Sequence, residues 1–153
     1  MQSVIEAQKI LEEKYGVAAD IYSVTSYKNL YFDAISADRW NMLHPGEKEH
    51  VPYVTQVLSG AEGVTVAASD YVKTLPESIS KWVPGTMISL GTDGFGRSES
   101  RASLRDHFEV DAKHIVLATL SALLRDGKLK ADVVKKAIQD LGINSEKLDP
   151  VVS

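Results

Sequence analysis

The sequence feature that most constrains the fold is a strand, loop and helix pattern over residues 87–108. A short apolar run begins at Met87 and is typical of a buried strand. A loop over residues 91–96 follows, with three glycines, and then a helix-forming stretch that reaches Phe108. Glycine allows positive φ angles and close approach of the backbone to a partner, and the first amides of a helix point back at the preceding loop. We therefore expect another group to contact this loop.

The loop glycines do not match a nucleotide-binding signature. Gly91, Gly94 and Gly96 give the order G-x-x-G-x-G, whereas dinucleotide-binding folds use G-x-G-x-x-G. A P-loop would also need Gly-Lys-Ser/Thr, which does not follow. The glycines alone are thus weak evidence for a phosphate ligand.

Three arginines follow the loop at helical spacing: Arg97, Arg101 and Arg105. Positions i, i+4 and i+8 share one helix face, so the spacing predicts a cationic ridge suited to an anion or to carboxylates of a neighbouring domain. Three interpretations stay open: a solvated helix face after a tight turn, a protein contact and a small-anion site. The candidate residues for an interdomain or anion contact are Asp93, Gly94, Phe95, Gly96, Arg97 and Arg101.

Composition narrows the class of protein. The 153 residues are 44% hydrophobic, enough for one domain with a core. A net charge of −4 argues against nucleic acid as a partner, which requires a basic face. The absence of cysteine excludes disulfides and fits a reducing compartment. No apolar run reaches membrane-spanning length and no signal peptide is visible, so we expect a cytoplasmic protein without a membrane partner.

Hydrophobic periodicity predicts alternating strands and helices, and hence an α/β fold with a mostly parallel sheet. Predicted strands cover residues 18–24, 64–68 and 87–90. Predicted helices, besides the one at residues 101–108, cover residues 3–15, 27–43, 52–58, 76–82, 111–127 and 131–141. We expect helix ends at Gly16, Ser26, Asp111 and Gly142, the longest helix at residues 27–43, a helix start at Pro76 and a loose tail after Asn144.

The sequence contains no familiar metal-binding or catalytic motif. His44, His50, His107 and His114 show no ligand or triad spacing, and no Gly-x-Ser-x-Gly elbow exists. Asp70, with Tyr71 beside it, and Asp93 follow predicted strands, where open α/β sheets bind ligands. Capping and turn formation by the two aspartates is the competing interpretation, and we favour it.

Five segments carry a family resemblance: residues 20–27 (DIYSVTSY), 39–41 (RWN), 51–54 (VPYV), 67–71 (AASDY) and 89–98 (SLGTDGFGRS), the last followed by Arg101. They closely resemble the C-terminal domain of the homodimeric bacterial pyruvate dehydrogenase first component, over nearly the whole chain. The last segment is also similar, more loosely, to the final domain of transketolases.

The resemblance implies a three-layer α/β/α fold of the transketolase C-terminal type over residues 1–143, with a C-terminal tail at residues 144–153. In the resembling domains a strand comes immediately before the first helix. We therefore expect this chain to lack its first strand or strands.

The resemblance also implies a function. The enzyme decarboxylates pyruvate oxidatively and passes the acetyl group to a lipoyl domain, and this domain would be a non-catalytic part that serves dimer and interdomain contacts. The implied partners are the preceding domains, a second subunit of the homodimer and the lipoyl-bearing acyltransferase component.

Thiamine diphosphate and magnesium belong to the full-length enzyme by this resemblance, with none held by this chain. That family holds the diphosphate through Gly-Asp-Gly followed by paired asparagines, which do not follow Asp93 here, so no residue is assigned a catalytic, cofactor or metal role. The alternative function is a free-standing module that binds a small anion or regulatory ligand through residues 91–105.

Overall fold

The computed structural model describes residues 1–152, which form seven α-helices, one 3-10 helix and two β-strands. In chain order these are α1 (Gln2–Tyr15), α2 (Tyr27–Leu43), α3 (Tyr53–Leu58), β1 (Thr65–Ala68), α4 (Thr74–Glu77), the 3-10 helix (Ser80–Trp82), β2 (Met87–Leu90), α5 (Arg101–His107), α6 (Ala112–Arg125) and α7 (Ala131–Asp140). Within this described part, no helix combines the length and apolarity needed to cross a membrane.

Helix ends lie where the capping residues predict them. Ser26 Oγ accepts a hydrogen bond from the backbone N–H of Asn29 at 3.2 Å, and Asp111 Oδ1 accepts one from His114 at 3.1 Å. Gly16 ends α1 with a φ of 64°, a left-handed conformation that glycine adopts easily. These contacts confirm the predicted end of α1 and the predicted starts of α2 and α6. At 17 residues, α2 is the longest helix of the described chain, as predicted.

The strands β1 and β2 pair in parallel, with Thr65 opposite Met87 and Ala68 opposite Leu90. These are the strands predicted at residues 64–68 and 87–90, and they confirm the α/β class. Because the pair is parallel, both strands end at the same side of the sheet, which we call the carboxyl edge. The loops after Ala68 and after Leu90 therefore leave the sheet side by side.

Apolar side chains pack against both faces of this small sheet. The larger cluster joins α1, α6 and α7, with the buried residues Ala7, Leu11, Ala112, Ile115, Val116, Leu120, Val134 and Ala137. Leu90 packs against it, whereas Met87 packs against a second cluster of Val54, Ile79 and Val83. Side chains three positions apart on a strand point to opposite faces, so helices lie on both sides of the sheet, as in a three-layer arrangement.

The prediction of a strand at residues 18–24 is wrong. The segment is irregular, and Tyr22 and Val24 are exposed. Ala19 packs against the larger cluster, and its carbonyl accepts a hydrogen bond from Gln8 Nε2 at 2.5 Å. A β-forming sequence becomes a strand only where another strand pairs with it, and within residues 1–152 the only ladder joins β1 to β2. The sheet of the described chain therefore has two strands.

The single helix predicted from Pro76 is divided in two. Pro76 lies inside the four-residue helix α4, which begins at Thr74, and the 3-10 helix follows after Ile79. Proline is tolerated in a first turn because that N–H has no partner within the helix. Ile79, between the two helices, is buried.

Candidate functional site

The candidate site is the pair of loops at the carboxyl edge. The backbone N–H of Thr92 donates to the carbonyl oxygen of Tyr71 at 2.8 Å, which joins the loop after β2 to the loop after β1. Gly91 is buried between them: a Cβ at this position would lie 2.5 Å from the Tyr71 oxygen and 2.8 Å from the Lys73 nitrogen. Real side chains do not come this close, so Gly91 is required for the two backbones to touch.

Asp93 braces the same two loops. Its Oδ1 accepts a hydrogen bond from the backbone N–H of Lys73 at 3.0 Å, and its Oδ2 lies 3.8 Å from the Lys73 ammonium. The carboxylate thus satisfies a backbone donor of the neighbouring loop. This contact supports the turn-forming interpretation of Asp93 over a role in chemistry.

The middle of the glycine loop, residues 94–97, is exposed. Gly94 has a φ of 92°, and a Cβ there would meet the carbonyl oxygen of Pro150 at 2.7 Å. Phe95 is 88% exposed, the most exposed of the large apolar side chains among the described residues. Gly96 and Arg97 are also exposed. A loop base braced at Gly91 and Asp93 therefore carries an exposed aromatic ring.

The predicted arginine ridge does not form. Ser100 caps α5 through a hydrogen bond from the Ser103 N–H at 3.2 Å, so the helix begins at Arg101 and Arg97 lies in the loop before it. Arg105 is engaged by other residues, with its guanidinium 3.4 Å from Asp70 Oδ2 and 3.3 Å from Ser3 Oγ. The ridge prediction is wrong because the Ser100 cap starts the helix four residues after Arg97. Arg97 and Arg101 remain exposed near Phe95 in sequence.

Two further exposed side chains follow β1. Tyr71 is 71% exposed and Val72 is 50% exposed. The sequence had indicated Asp70 and Tyr71 for their position but had not indicated Val72. The available signal was an apolar pair in the loop that follows a strand, after Ser69 and Asp70, where polar residues are usual. We call Tyr71, Val72 and Phe95 the carboxyl-edge surface.

His114 lies in a cluster of charged side chains between α5 and α6. Asp106, Asp111 and His114 bring their polar atoms within 4.8 Å of one another, but Lys113 Nζ lies 2.5 Å from Asp106 Oδ1. The hydrogen bond from Lys113 lowers the pKa of Asp106 and raises the pKa of Lys113 itself. This cluster is therefore an ion-pair network that ties α5 to α6.

At the C-terminal end of α2, the rings of His44 and His50 stack on Trp40. The ring centroids are 4.3 and 3.9 Å apart, respectively. The side chain of Asn41 clamps the backbone of His50 with two hydrogen bonds, of 2.8 and 2.9 Å. These contacts fold residues 44–50 back onto α2, an arrangement that histidine spacing alone did not indicate.

The sequence of this chain matches a known domain family and known enzymes. The model of the transketolase-like TK C-terminal domain matches residues 1–111. The chain is 47% identical over 152 residues to the pyruvate dehydrogenase E1 component of Haemophilus influenzae, which covers 99% of this chain and 17% of that protein. It is 46% identical to that of Escherichia coli and 45% to that of Pseudomonas aeruginosa, with 98% and 99% of this chain covered and 17% of each relative. The chain spans about one sixth of the length of these relatives, and it belongs to the transketolase-like C-terminal domain family.

Proposed function

We propose that this chain works as the C-terminal domain of a pyruvate dehydrogenase first component and docks other domains of that enzyme through the carboxyl-edge surface. The identity of 45 to 47% to E1 components along nearly the whole chain supports the enzyme class. The observation that carries the docking role is Phe95, an aromatic ring left 88% exposed on a loop whose backbone is fixed at Gly91 and Asp93.

An exposed ring on a braced loop is well suited to protein recognition. Leaving such a ring in water forgoes roughly 1.5 to 3 kcal/mol that its burial would contribute. Aromatic anchors dominate the energetics of protein interfaces, and a rigid base reduces the entropy lost on binding. Tyr71 and Val72 are exposed on the neighbouring loop, whose backbone packs against Gly91 at the base of the glycine loop.

Arg97 and Arg101 give this surface its charge. Both are exposed and follow Phe95 closely in sequence. An arginine pairs with a carboxylate through two parallel hydrogen bonds, which adds orientation to the apolar contact. The preferred counterpart is therefore an apolar pocket rimmed by Asp or Glu.

The remaining roles belong to the longer enzyme. We assign to it the oxidative decarboxylation of pyruvate, the acetyl transfer to a lipoyl-bearing acyltransferase component, the homodimer contact and the binding of thiamine diphosphate with magnesium. Residues 1–143 would be the docking domain and residues 144–153 its tail. A cytoplasmic location fits these roles.

Grafting tests this function. We would replace the matching segment of the Haemophilus influenzae E1 component with this chain and measure pyruvate decarboxylation and dimer dissociation. The graft should be active, and Phe95→Ala in the graft should lower activity or raise the dimer dissociation constant by about tenfold, as expected for an anchor residue.

The matched control is Met42→Ala, because Met42 is 72% exposed but lies on α2. A folded but inactive graft would overturn the assignment to the enzyme. Equal behaviour of Phe95→Ala and Met42→Ala would overturn the docking role.

The alternative of a free-standing anion module is less favoured. It required several arginines on one helix face, whereas Arg105 is engaged with Asp70 and Ser3. Titration of the chain with pyrophosphate decides the point: saturable micromolar binding would favour the module.

A further inference from the structure

The C-terminal segment is anchored where the sequence predicted a loose tail. Lys147 Nζ donates to the carbonyl oxygens of Asp106 and His107 at 2.7 and 2.8 Å and lies 3.4 Å from Glu109 Oε1. These carbonyls lie at the end of α5, where a cation is favoured by the helix dipole. Lys147 thus caps α5 and fixes the start of the segment.

Local turns then direct the segment towards the glycine loop. The backbone N–H of Glu146 donates to Asn144 Oδ1 at 3.0 Å, and that of Val151 donates to Asp149 Oδ1 at 2.9 Å. The N–H of Val152 reaches the Asp149 carbonyl oxygen at 3.0 Å. Asp and Asn side chains commonly form such turns with their own backbone.

The segment ends against Gly94. A Cβ on Gly94 would lie 2.7 Å from the Pro150 carbonyl oxygen and 3.2 Å from Val151 Cα. Both are backbone atoms, which cannot swing aside as a side chain would. Gly94 therefore serves two purposes, since it supplies a φ of 92° and leaves room for the tail.

The segment is also apolar on its outside. Leu148 is 71% exposed, Val151 49% and Val152 77%. The backbone of Val151 lies against Gly94, the residue before Phe95, so this apolar segment ends beside the glycine loop of the carboxyl-edge surface. The match to the family model ends at residue 111, well before this segment.

We infer that residues 144–152 form a strap that fixes the glycine loop from one side and extends the docking surface beyond Phe95. The inference rests on the proposed function for its second half. Its occupant is a neighbouring domain of the longer polypeptide, because this chain matches only 17% of the length of its relatives and the strap adjoins the surface proposed to meet those domains.

Three glycine variants isolate the strap contact. Gly94→Ala places a Cβ on a backbone with a left-handed φ and against the Pro150 carbonyl oxygen. Gly46→Ala places a Cβ on a backbone with a left-handed φ of 90° but in open space. Gly96→Ala meets neither a left-handed φ nor a neighbouring atom. Melting temperatures should fall most for Gly94→Ala, by roughly 3 °C more than for Gly46→Ala, and hardly at all for Gly96→Ala.

The same comparison is then made in a chain that ends at Ile143. Without the strap, Gly94→Ala should lower the melting temperature no more than Gly46→Ala does. An unchanged effect of Gly94→Ala would show that the strap does not press on the loop, and would overturn the inference. Lys147→Met gives a second measure in an otherwise full chain: the Thr92 amide should exchange with solvent about tenfold faster, while amides of α6 keep their protection.

The docking half is tested in the graft with Val151→Asp. Its activity or dimer affinity should fall about tenfold, as for Phe95→Ala, because a charge would enter an apolar contact. If Phe95→Ala lowers the activity or dimer affinity of the graft and Val151→Asp does not, the strap lies outside the interface. The inference that the strap extends the docking surface is then overturned, while the docking function of Phe95 stands. If neither variant weakens it, the proposed docking function itself is overturned, whatever the melts show.

Discussion

Asp93 ties Lys73 to the glycine loop: 3.0 Å separates its Oδ1 from the Lys73 backbone nitrogen, across the gap between the loops that follow β1 and β2. Removing the acceptor leaves that N–H, which is partly buried, without its partner. We expect Asp93→Ala to lower the free energy of unfolding by about 1 to 2 kcal/mol.

Asp93→Asn should cost less, since it keeps an oxygen acceptor and loses only the partly exposed ion pair at 3.8 Å. Denaturant unfolding of both variants measures the difference. Equal losses for the two variants would place the stabilisation in the charge and not in the backbone hydrogen bond.

Gly91→Ala should be the most damaging glycine substitution in the carboxyl-edge loops. Its Cβ would lie 2.5 and 2.8 Å from backbone atoms of Tyr71 and Lys73, so the two loops must separate. A loss of about 1 to 3 kcal/mol is expected for such overpacking, measured by thermal or denaturant unfolding. Gly60→Ala is the control, because a Cβ there meets nothing within 4 Å. A Gly91→Ala protein as stable as Gly60→Ala would mean that the loops separate freely.

Phe95→Ala should leave the stability of the isolated chain nearly unchanged. The ring is 88% exposed, so its removal should change the free energy of unfolding by less than about 0.5 kcal/mol. Phe108→Ala is the contrast, because Phe108 is only 6% exposed and its removal should cost about 3 to 5 kcal/mol. A large loss for Phe95→Ala would place the ring in the core of this domain and remove the basis for docking.

The ion pair of Asp106 and Lys113 should stabilise the fold, and this stabilisation should be lost at acid and at alkaline pH. The hydrogen bond from Lys113 holds the folded-state pKa of Asp106 below its usual 3.8, so its stabilisation is present above that value and is lost as the pH falls through the folded pKa. The pKa of Lys113 is raised above 10.5, so its contribution is present below that value and is lost as the pH rises through the folded pKa.

The stability difference between wild type and Asp106→Asn should therefore narrow below about pH 4. Asp132→Asn provides the control, since Asp132 and Lys135 are 3.8 Å apart and strongly exposed. If the stability difference between wild type and Asp106→Asn does not change with pH, the ion pair is not the cause of that difference.

The chain alone is expected neither to bind thiamine diphosphate nor to decarboxylate pyruvate. It offers no match to the diphosphate-binding segment of the family, and the carboxylate of Asp93 is engaged with Lys73. Calorimetric titration with thiamine diphosphate and magnesium measures this directly. Saturable binding in the micromolar range would show that this domain itself binds the cofactor, and would contradict the prediction.

Local sequence determined much of the fold. Ser26 and Asp111 cap helices through hydrogen bonds that span only three residues, and Gly16 ends α1 by its own backbone conformation. Apolar periodicity likewise located α6 and the strands β1 and β2. Such features depend on neighbours along the chain, which is why they can be predicted without coordinates.

Tertiary structure decided the rest, because it depends on what lies alongside in space. Residues 18–24 have strand-like sequence but no pairing strand in the described chain, and Arg105 turns to Asp70, 35 positions away. The sequence marked the glycine loop as a contact site without revealing that Gly94 meets Pro150 from the chain's own C-terminal segment. Contacts between distant residues follow from the packing of whole elements, and no local propensity encodes them.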